Sequence, residues 1–505
     1  MRDGIQKKAK MNIGITLLSQ VVTLLCGLIV PNLMIASFGS EAYGATTSIA
    51  QFLAYITLLE GGIGGVARAA LYEPLANNNT IAISNVIAEI KRFFRKIAYI
   101  FVVYVIILAC AYKTISNIQC FDWISTAELV IVISISTFAQ YFIGISYSVL
   151  LQADQKTYIV QAISVITTIL NTLLIVVLTK IGSNLIVVKL VSSVVFALRP
   201  IAMWIYVKNC YDLPSTKGQN DSKALKQKWN ALSQHIAYFL HSNTDVVVLT
   251  VLKDLETVAV YAIYNMIVSN VQNLITSFAA GMEAVFGELY AKKEIRKLND
   301  VFGYYETMLS IVSLFFVIAT TTLIIPFVRL YTRNVHDVNY IVPIFAVLLI
   351  LSSMIFCLRF PYHSIVIAAG KFKETEWASY GEAIINITLS VILVKKFGLV
   401  GVASGTVAAV IFRFLFYVWY LSKHVICRSL TLFIKRTCVN VGAYTIGVYL
   451  GYRVVKLMVF DSYFDWIKGA IVVSVLSIGV VLVVITIFYK KDVKELKGIV
   501  LRKLK

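Results

Sequence analysis

Residues 467–489 read IKGAIVVSVLSIGVVLVVITIFY, an apolar run that contains a single charge. About 20 mostly apolar residues are enough to cross a bilayer as an α-helix. The run lacks the alternation of apolar and polar residues that marks a membrane β-strand. It therefore predicts a transmembrane helix, and thirteen similar segments precede it. These lie near 12–36, 43–66, 94–115, 127–151, 158–179, 185–208, 231–251, 257–280, 304–328, 341–367, 376–395, 399–422 and 437–458.

The composition excludes a water-soluble chain. Hydrophobic residues make up 59% of the sequence and charged residues only 14%, so a soluble fold would expose large apolar patches. The expected fold class is all-α, a polytopic membrane protein of 14 helices. The segment 437–458 is the weakest of these predictions, because Arg453 and Lys456 interrupt it.

The basic residues predict an orientation in the membrane. The formal net charge is +20, but a cytoplasmic N-terminus puts most of the 46 Lys and Arg on the cytoplasmic side. This distribution follows the positive-inside rule, so we expect both termini in the cytoplasm and no nucleic acid as partner. The basic segments 217–228 and 490–505 are expected to meet anionic lipid headgroups.

An internal repeat divides the chain. Gly182 matches Gly398 and Arg199 matches Arg413 at nearly the same offset, each pair at similar places in its helix. An offset of six helices predicts two parallel halves around a central cavity, with helices 13 and 14 added. The predicted parts are an N-terminal lobe (1–210, helices 1–6), a cytoplasmic linker (211–230), a C-terminal lobe (231–425, helices 7–12), helices 13–14 (426–489) and a basic cytoplasmic tail (490–505).

Four segments carry a family resemblance. They are Pro31 with FGSEAYG at 38–44, LEGGIGG at 59–65 with Arg68, Asn243-Thr244-Asp245 to Val260-Tyr261, and GLVGVA at 398–403. They resemble the polysaccharide-unit exporters of the multidrug/oligosaccharidyl-lipid/polysaccharide exporter superfamily, which is related to the MATE transporters, and in particular the Wzx-type O-antigen and capsule flippases.

The resemblance implies a specific cargo and a specific membrane in which the protein acts. A flippase of this kind moves undecaprenyl-pyrophosphate-linked oligosaccharide from the inner to the outer leaflet of the bacterial cytoplasmic membrane. Lipid-linked-sugar flippases of the superfamily have fourteen helices, whereas its multidrug exporters typically have twelve. The resemblance also implies a monomer. Its implied partners are membrane lipids, a polysaccharide polymerase and a chain-length regulator.

Basic residues within spanning segments are candidates for binding the pyrophosphate. A charge there costs roughly 2.5–3.5 kcal/mol on insertion scales, so it needs a polar cavity or a partner. Arg359, Arg413, Arg199 and Lys189 are such residues, and Arg68 follows a Gly-rich helix end. Guanidinium groups match phosphate oxygens, which predicts a cationic cavity. Alternatively, Arg199 and Arg413 extend to the headgroups, and Arg68 is a cytoplasmic gate or, as we favour, a positive-inside anchor.

Acidic residues are candidates for ion coupling. Asp245 and His241 lie one turn apart on helix 7, so they could exchange protons during transport or only lock two helices together. Glu60, Glu283 and Glu306 are further candidates. Neither a nucleotide-binding motif nor a metal cluster appears in the sequence. We therefore expect no cofactor, with H⁺ or Na⁺ as coupling ions or the membrane potential alone.

Amides on several helices are candidates for contacting the glycan. Gln20, Asn243, Asn265 and Gln272 are expected to face a hydrated lumen, where they would bind sugar hydroxyls or join helices to each other. Two other functions compete with the flippase. A MATE-type multidrug or cation antiporter shares the superfamily. A membrane polysaccharide polymerase or glycosyltransferase is disfavoured by short outer loops near 113–126 and 329–340, so we expect a transporter rather than an enzyme.

Overall fold

The chain is mainly helical in the residues that its computed structural model describes, 2–60, 63–214, 232–277 and 282–489. No strand occurs in these ranges, which confirms the all-α prediction. The α-helices are α1 (Arg2–Phe38), α2 (Ser40–Ala54), α3 (Ile63–Ala76), α4 (Thr80–Ser116), α5 (Trp123–Ala139), α6 (Ile145–Ala153), α7 (Thr157–Ile181), α8 (Leu185–Cys210), α9 (Leu232–Leu252), α10 (Leu255–Ser277), α11 (Met282–Ala291), α12 (Ile295–Tyr331), α13 (Pro343–Ala368), α14 (Phe372–Phe397), α15 (Leu399–His424), α16 (Leu430–Lys456) and α17 (Tyr463–Val484).

Within the described ranges, three helical segments depart from α-helical geometry. A 3₁₀ segment, Tyr55–Glu60, follows α2. A π-helical segment, Gln140–Gly144, joins α5 to α6 within one span, and a second, Ile485–Tyr489, ends α17. Single π-helical turns within α-helices are rare and occur often at functional sites.

The number of membrane-spanning helices is eleven or twelve within the described residues. Eleven helices are long and apolar enough to cross a membrane, and a twelfth is added if α2 to α3 form one bent span. The predicted segment 231–251 gives α9, whose described apolar part is only Asn243–Leu252. The segment 437–458 gives α16, which carries Arg436, Arg453 and Lys456. The chain is thus a multi-pass membrane protein, whereas fourteen spans and cytoplasmic termini stay predictions.

The helices group into two compact units. The first unit comprises Met1–Phe239 and Leu249–Ala259, and the second comprises Leu240–Val248 and Val260–Lys505. In the first unit α8 packs against α5 and α7, and α4 packs against α5. In the second unit α15 packs against α13 and α14, and α12 packs against α13. The same three pairings therefore occur in both units.

Helix lengths and helix starts repeat as well. The helices α4 and α12 each have 37 residues and begin at Thr80 and Ile295. The starts of α7 and α14 are separated by the same number of residues as the starts of α4 and α12. The starts of α8 and α15 are separated by almost the same number. At 1.5 Å per residue, α4 and α12 are about 55 Å long, so each is longer than the roughly 30 Å hydrocarbon layer.

The second unit carries an additional helix pair. The helices α16 and α17 pack against α12 through an apolar cluster of Leu314, Ile318, Ala443, Val481 and Val484. Side chains cap the starts of helices in both units. Asn79, Asp122, Asn184, Ser429 and Ser462 each accept a hydrogen bond from a backbone N–H of the first turn, which satisfies a donor that the helix leaves unpaired.

Candidate functional site

A buried ion cluster joins three helices of the second unit. Arg359 of α13 and Arg413 of α15 both donate to Glu382 of α14, at N–O distances of 2.7 and 2.5 Å. Glu382 is fully buried, and the two arginines are 4% and 3% exposed. Arg413 also donates to the hydroxyl of Tyr417 at 2.8 Å. We call Arg359, Glu382 and Arg413 the arginine triad.

In the arginine triad, Arg359 and Arg413 share a carboxylate partner, one of the two environments that a charge within a spanning segment requires. Both guanidinium groups bind a carboxylate from the neighbouring helix, because an unpaired buried charge would be costly. They are enclosed by the second unit rather than extended to the headgroups. Sequence reasoning missed Glu382, although an acidic residue within a spanning segment requires a partner. Binding of pyrophosphate by these arginines stays a prediction.

A second ion cluster surrounds Glu306 of α12. Its carboxylate accepts from Arg428 at 2.7 Å, from Arg436 of α16 at 2.8 Å and from the hydroxyl of Tyr362 at 2.7 Å. These bonds connect α12 to α13, to α16 and to the turn before α16. The glutamate that the sequence predicts as a coupling residue is therefore held by two guanidinium groups and a phenol.

Asp245 lies in a polar cluster of four helices. The hydroxyl of Thr406 (α15) is 3.1 and 3.2 Å from the two carboxylate oxygens, and Tyr261 (α10) donates to one of them at 3.1 Å. Asn386 of α14 donates to Thr406 at 3.0 Å. Among the described residues, no hydrogen bond reaches Asn386 Oδ1. The side chain of His241 lies outside the described part of the chain.

The first unit contains a pocket with a volume of about 560 Å³, lined by both polar and apolar side chains. Its wall is built from the 3₁₀ segment after α2, the π-helical segment between α5 and α6, and helices α5, α6, α7 and α8. Two residues predicted for binding or coupling, Arg199 and Glu60, line it together. We call it the first-unit pocket.

Neutral groups hold Arg199 in the first-unit pocket. Its Nε donates to the Thr167 hydroxyl at 2.6 Å and its Nη2 to the Thr168 hydroxyl at 2.8 Å. Its guanidinium carbon lies 4.3 Å from the centre of the Phe196 ring. Within the described ranges, no carboxylate forms an ion pair with Arg199. Glu60 accepts a hydrogen bond from the hydroxyl of Tyr141.

The remaining predicted residues are dispersed. Arg68 donates to Gln152 of α6 at 2.6 Å, and Gln272 accepts from Ser353 of α13 at 3.0 Å. Gln20 of α1 is exposed within its unit. The others are half-buried: Lys189, Asn243, Asn265 and Glu283.

Comparisons with known proteins agree with this architecture. The MatE family model matches residues 231–392. A structure of the lipid II flippase MurJ in an inward closed conformation matches with 16% identity and a TM-score of 0.70, covering 95% of this chain and 99% of that one. An inward-facing multidrug resistance MATE transporter matches with 19% identity and a TM-score of 0.57, covering 82% of this chain and 98% of that one. No curated protein sequence matches the chain.

These matches define a class of fold. The chain has the fold seen in the lipid II flippase MurJ and in the multidrug resistance MATE transporter. A further match, a structure of the MATE multidrug transporter DinF-BH, has 15% identity and a TM-score of 0.54, and covers 82% of this chain and 95% of that one. The proteins named in these matches are a lipid II flippase and multidrug transporters.

Proposed function

We propose that this protein is a flippase for undecaprenyl-pyrophosphate-linked oligosaccharide. In this proposal it moves the repeat unit from the inner to the outer leaflet of the bacterial cytoplasmic membrane for O-antigen, capsule or exopolysaccharide assembly. The observation that supports this cargo best is the helix pair α16–α17, which packs on α12 beyond the repeated helices. The likeness to the lipid II flippase covers 95% of the chain, whereas that to the multidrug transporter covers 82%.

The charges of the helices suit a cargo with a polar head. The arginine triad and the Glu306 cluster each combine two guanidinium groups with one carboxylate, so each has a net charge of +1. A positive interior lowers the cost of bringing a diphosphate into the membrane. An inside-negative potential then favours outward movement by roughly 2.3 kcal/mol per negative charge for each 100 mV.

Coupling to a cation is proposed at Asp245. The carboxylate, the Thr406 hydroxyl and the Asn386 amide oxygen bring together oxygen ligands of the kind that hard cations prefer. The carboxylate is 3% exposed, and a buried carboxylate requires a proton or a cation to balance its charge. H⁺ and Na⁺ both fit this proposal. Asp245→Asn should remove the cation dependence of transport while the fold is retained.

A reconstituted transport assay tests the function. Proteoliposomes containing the protein and fluorescent undecaprenyl-pyrophosphate trisaccharide are exposed to a membrane-impermeant quencher, and the rate at which lipid becomes accessible is measured. We expect acceleration over protein-free liposomes and a further increase with an imposed potential. Equal rates with and without protein would contradict the flippase.

The competing functions have their own readouts. The MatE match at residues 231–392 keeps a multidrug antiporter as the second candidate, and it predicts efflux of a rhodamine dye or ethidium from loaded vesicles. The polymerase or glycosyltransferase alternative predicts sugar transfer by the purified protein. Drug efflux without lipid translocation would replace the proposed function by the antiporter.

A further inference from the structure

The first-unit pocket occupies the place that the arginine triad fills in the second unit. Thr167 and Glu382 are 215 positions apart, the separation of the starts of α7 and α14, and Arg199 and Arg413 are 214 positions apart, the separation of the starts of α8 and α15. Met203, which lines the pocket, precedes Tyr417 by the same offset as Arg199 precedes Arg413. The second unit therefore has a carboxylate and a phenol where the first has a hydroxyl and a thioether. Equivalent backbone positions enclose an ion cluster in one unit and an open volume in the other.

The lining of the pocket combines hydrogen-bonding groups with apolar surfaces. The polar residues are Thr57, Glu60, Ser136, Thr137, Gln140, Tyr141, Ser148, Ser164 and Arg199, and the apolar ones are Ile145, Val160, Ile163, Phe196 and Met203. Glu60 and Arg199 carry opposite charges, so the charges of the lining sum to zero. Such a lining favours an uncharged ligand that both donates and accepts hydrogen bonds.

We propose that the first-unit pocket is a subsite for one uncharged sugar ring of the cargo. A sugar hydroxyl donates and accepts, which matches a wall of hydroxyls with one carboxylate and one guanidinium. The C–H faces of the ring match the apolar side chains, and the volume of about 560 Å³ lies within the usual range of ligand sites. This inference rests on the proposed function, because it concerns the saccharide part of that cargo.

The same geometry disfavours the diphosphate as occupant. Arg199 uses two of the five N–H donors of its guanidinium on Thr167 and Thr168. An anion beside it would also share the pocket with the carboxylate of Glu60, and like charges repel strongly in a low-dielectric interior. A neutral ring meets neither penalty.

A local distortion of the helix shapes the pocket. Gln140 and Tyr141 belong to the π-helical segment and line the pocket. At Gly144 a Cβ atom would lie 2.5 Å from Gln140 Oε1 and 2.9 Å from Pro200 Cβ. Glycine therefore lets α8 approach this segment closely, next to Arg199. The distortion places an amide and a phenol in the wall.

The experiment compares two lipids in the reconstituted assay. One is undecaprenyl pyrophosphate bearing a synthetic trisaccharide of neutral hexoses, and the other is undecaprenyl pyrophosphate without sugar. Ser164→Leu fills the pocket and should slow translocation of the glycolipid at least tenfold, with little change for the sugar-free lipid. Thr137→Val removes one hydroxyl of the lining and should slow the glycolipid about threefold to tenfold.

A matched control distinguishes an effect on the pocket from a general effect on the helix bundle. Thr172→Val removes a hydroxyl that donates to the Thr168 carbonyl within α7 and is outside the lining, so both lipids should move within twofold of the wild-type rate. Glycolipid movement at the wild-type rate by a folded Ser164→Leu variant would overturn the subsite. So would an equal slowing of both lipids, which would indicate phosphate recognition.

A second measurement does not depend on the variants. The free trisaccharide, released from its carrier, should inhibit glycolipid translocation by the wild-type protein and leave the sugar-free lipid unaffected. Absence of inhibition at tens of millimolar, while the protein translocates the glycolipid, would overturn the subsite. A wild-type protein that moves neither lipid would instead overturn the proposed function, so the two failures are distinguishable.

Discussion

Arg199 and Arg413 occupy equivalent positions in the two units, but they are stabilised in opposite ways. Arg413 is 3% exposed and binds Glu382, whereas Arg199 is half-buried and binds the hydroxyls of Thr167 and Thr168. The two units thus use one architecture for different purposes. In the second unit a carboxylate from the neighbouring helix binds both guanidinium groups, while in the first unit neutral hydrogen bonds leave Arg199 beside an open pocket.

The largest effect is expected from Glu382→Gln. This change leaves two buried guanidinium groups without their carboxylate, and removing one partner of a buried pair costs about 3–5 kcal/mol. We expect a large fall in the melting temperature of the purified protein in detergent. Arg359→Gln is the matched control, because it leaves the neutral pair Glu382–Arg413 and should cost less. Equal falls in melting temperature for the two variants would contradict a stabilising role of the Glu382 carboxylate between the two arginines.

A smaller loss of thermal stability is expected when the glycines that end α7 and α14 are replaced. Gly182 has φ 79° and ψ 26°, a left-handed helical conformation that other residues adopt at a cost of roughly 1–2 kcal/mol. Gly398 has φ 55° and ψ −128°, where residues with a Cβ are strained more strongly. Thermal unfolding should show a greater loss for Gly398→Ala than for Gly182→Ala. The reverse order would contradict this assignment of strain.

Thr167→Glu would convert the first unit towards the arrangement of the second. A carboxylate there is placed to pair with Arg199, which removes the guanidinium from ligand binding and reduces the pocket. We expect glycolipid translocation to fall about tenfold, or about 1.4 kcal/mol in the barrier, without loss of thermal stability. Thr167→Val, which adds no charge, should slow transport less. Full activity of the glutamate variant would show that Arg199 takes no part in substrate binding.

The smallest effect concerns the turn between α6 and α7. Burial would raise the pKa of Asp154, but hydrogen bonds from Lys156, Tyr211 and Lys8 outweigh it and hold this pKa below the usual 3.8. The ionised carboxylate therefore stabilises the fold above about pH 4, and this contribution is lost as the pH falls through the lowered pKa.

Asp154→Asn should accordingly lower the melting temperature modestly at pH 7 and approach the wild type in acid. The equivalent turn in the second unit has Ala369 and Gly370, and nearby Glu374 forms an exposed pair with Lys371. Glu374→Gln is therefore the control, with a smaller effect expected because exposed pairs contribute little. A difference in melting temperature between Asp154→Asn and the wild type that does not change with pH would contradict this contribution of the ionised carboxylate.

Hydropathy predicted the helical elements well because each apolar run of sufficient length must satisfy its backbone hydrogen bonds internally. The predicted segments 158–179 and 185–208 fall within α7 and α8, and even the weak segment 437–458 gives α16. The π-helical segment Gln140–Gly144 and the 3₁₀ segment Tyr55–Glu60 have no comparable signal, because packing against neighbouring helices decides such local departures.

The site was predicted less completely. Arg359, Arg413, Arg199 and Glu60 were recognisable as polar groups in apolar segments, which identifies residues that need partners. The partners were not recognisable. Glu382 is 23 and 31 residues from its two arginines, and Arg428 is 122 residues from Glu306. No local pattern connects positions so far apart.

By itself, the sequence determined that this protein is helical and membrane-embedded, and it predicted a duplication, because hydropathy, helix length and a constant offset are properties of short segments and their spacing. Only the tertiary structure decided which charges neutralise each other and which remain beside an open pocket. The physical reason is that an ion pair depends on distances of about 3 Å between side chains of different helices. Two equivalent arginines therefore have different roles according to whether a glutamate or a threonine faces them.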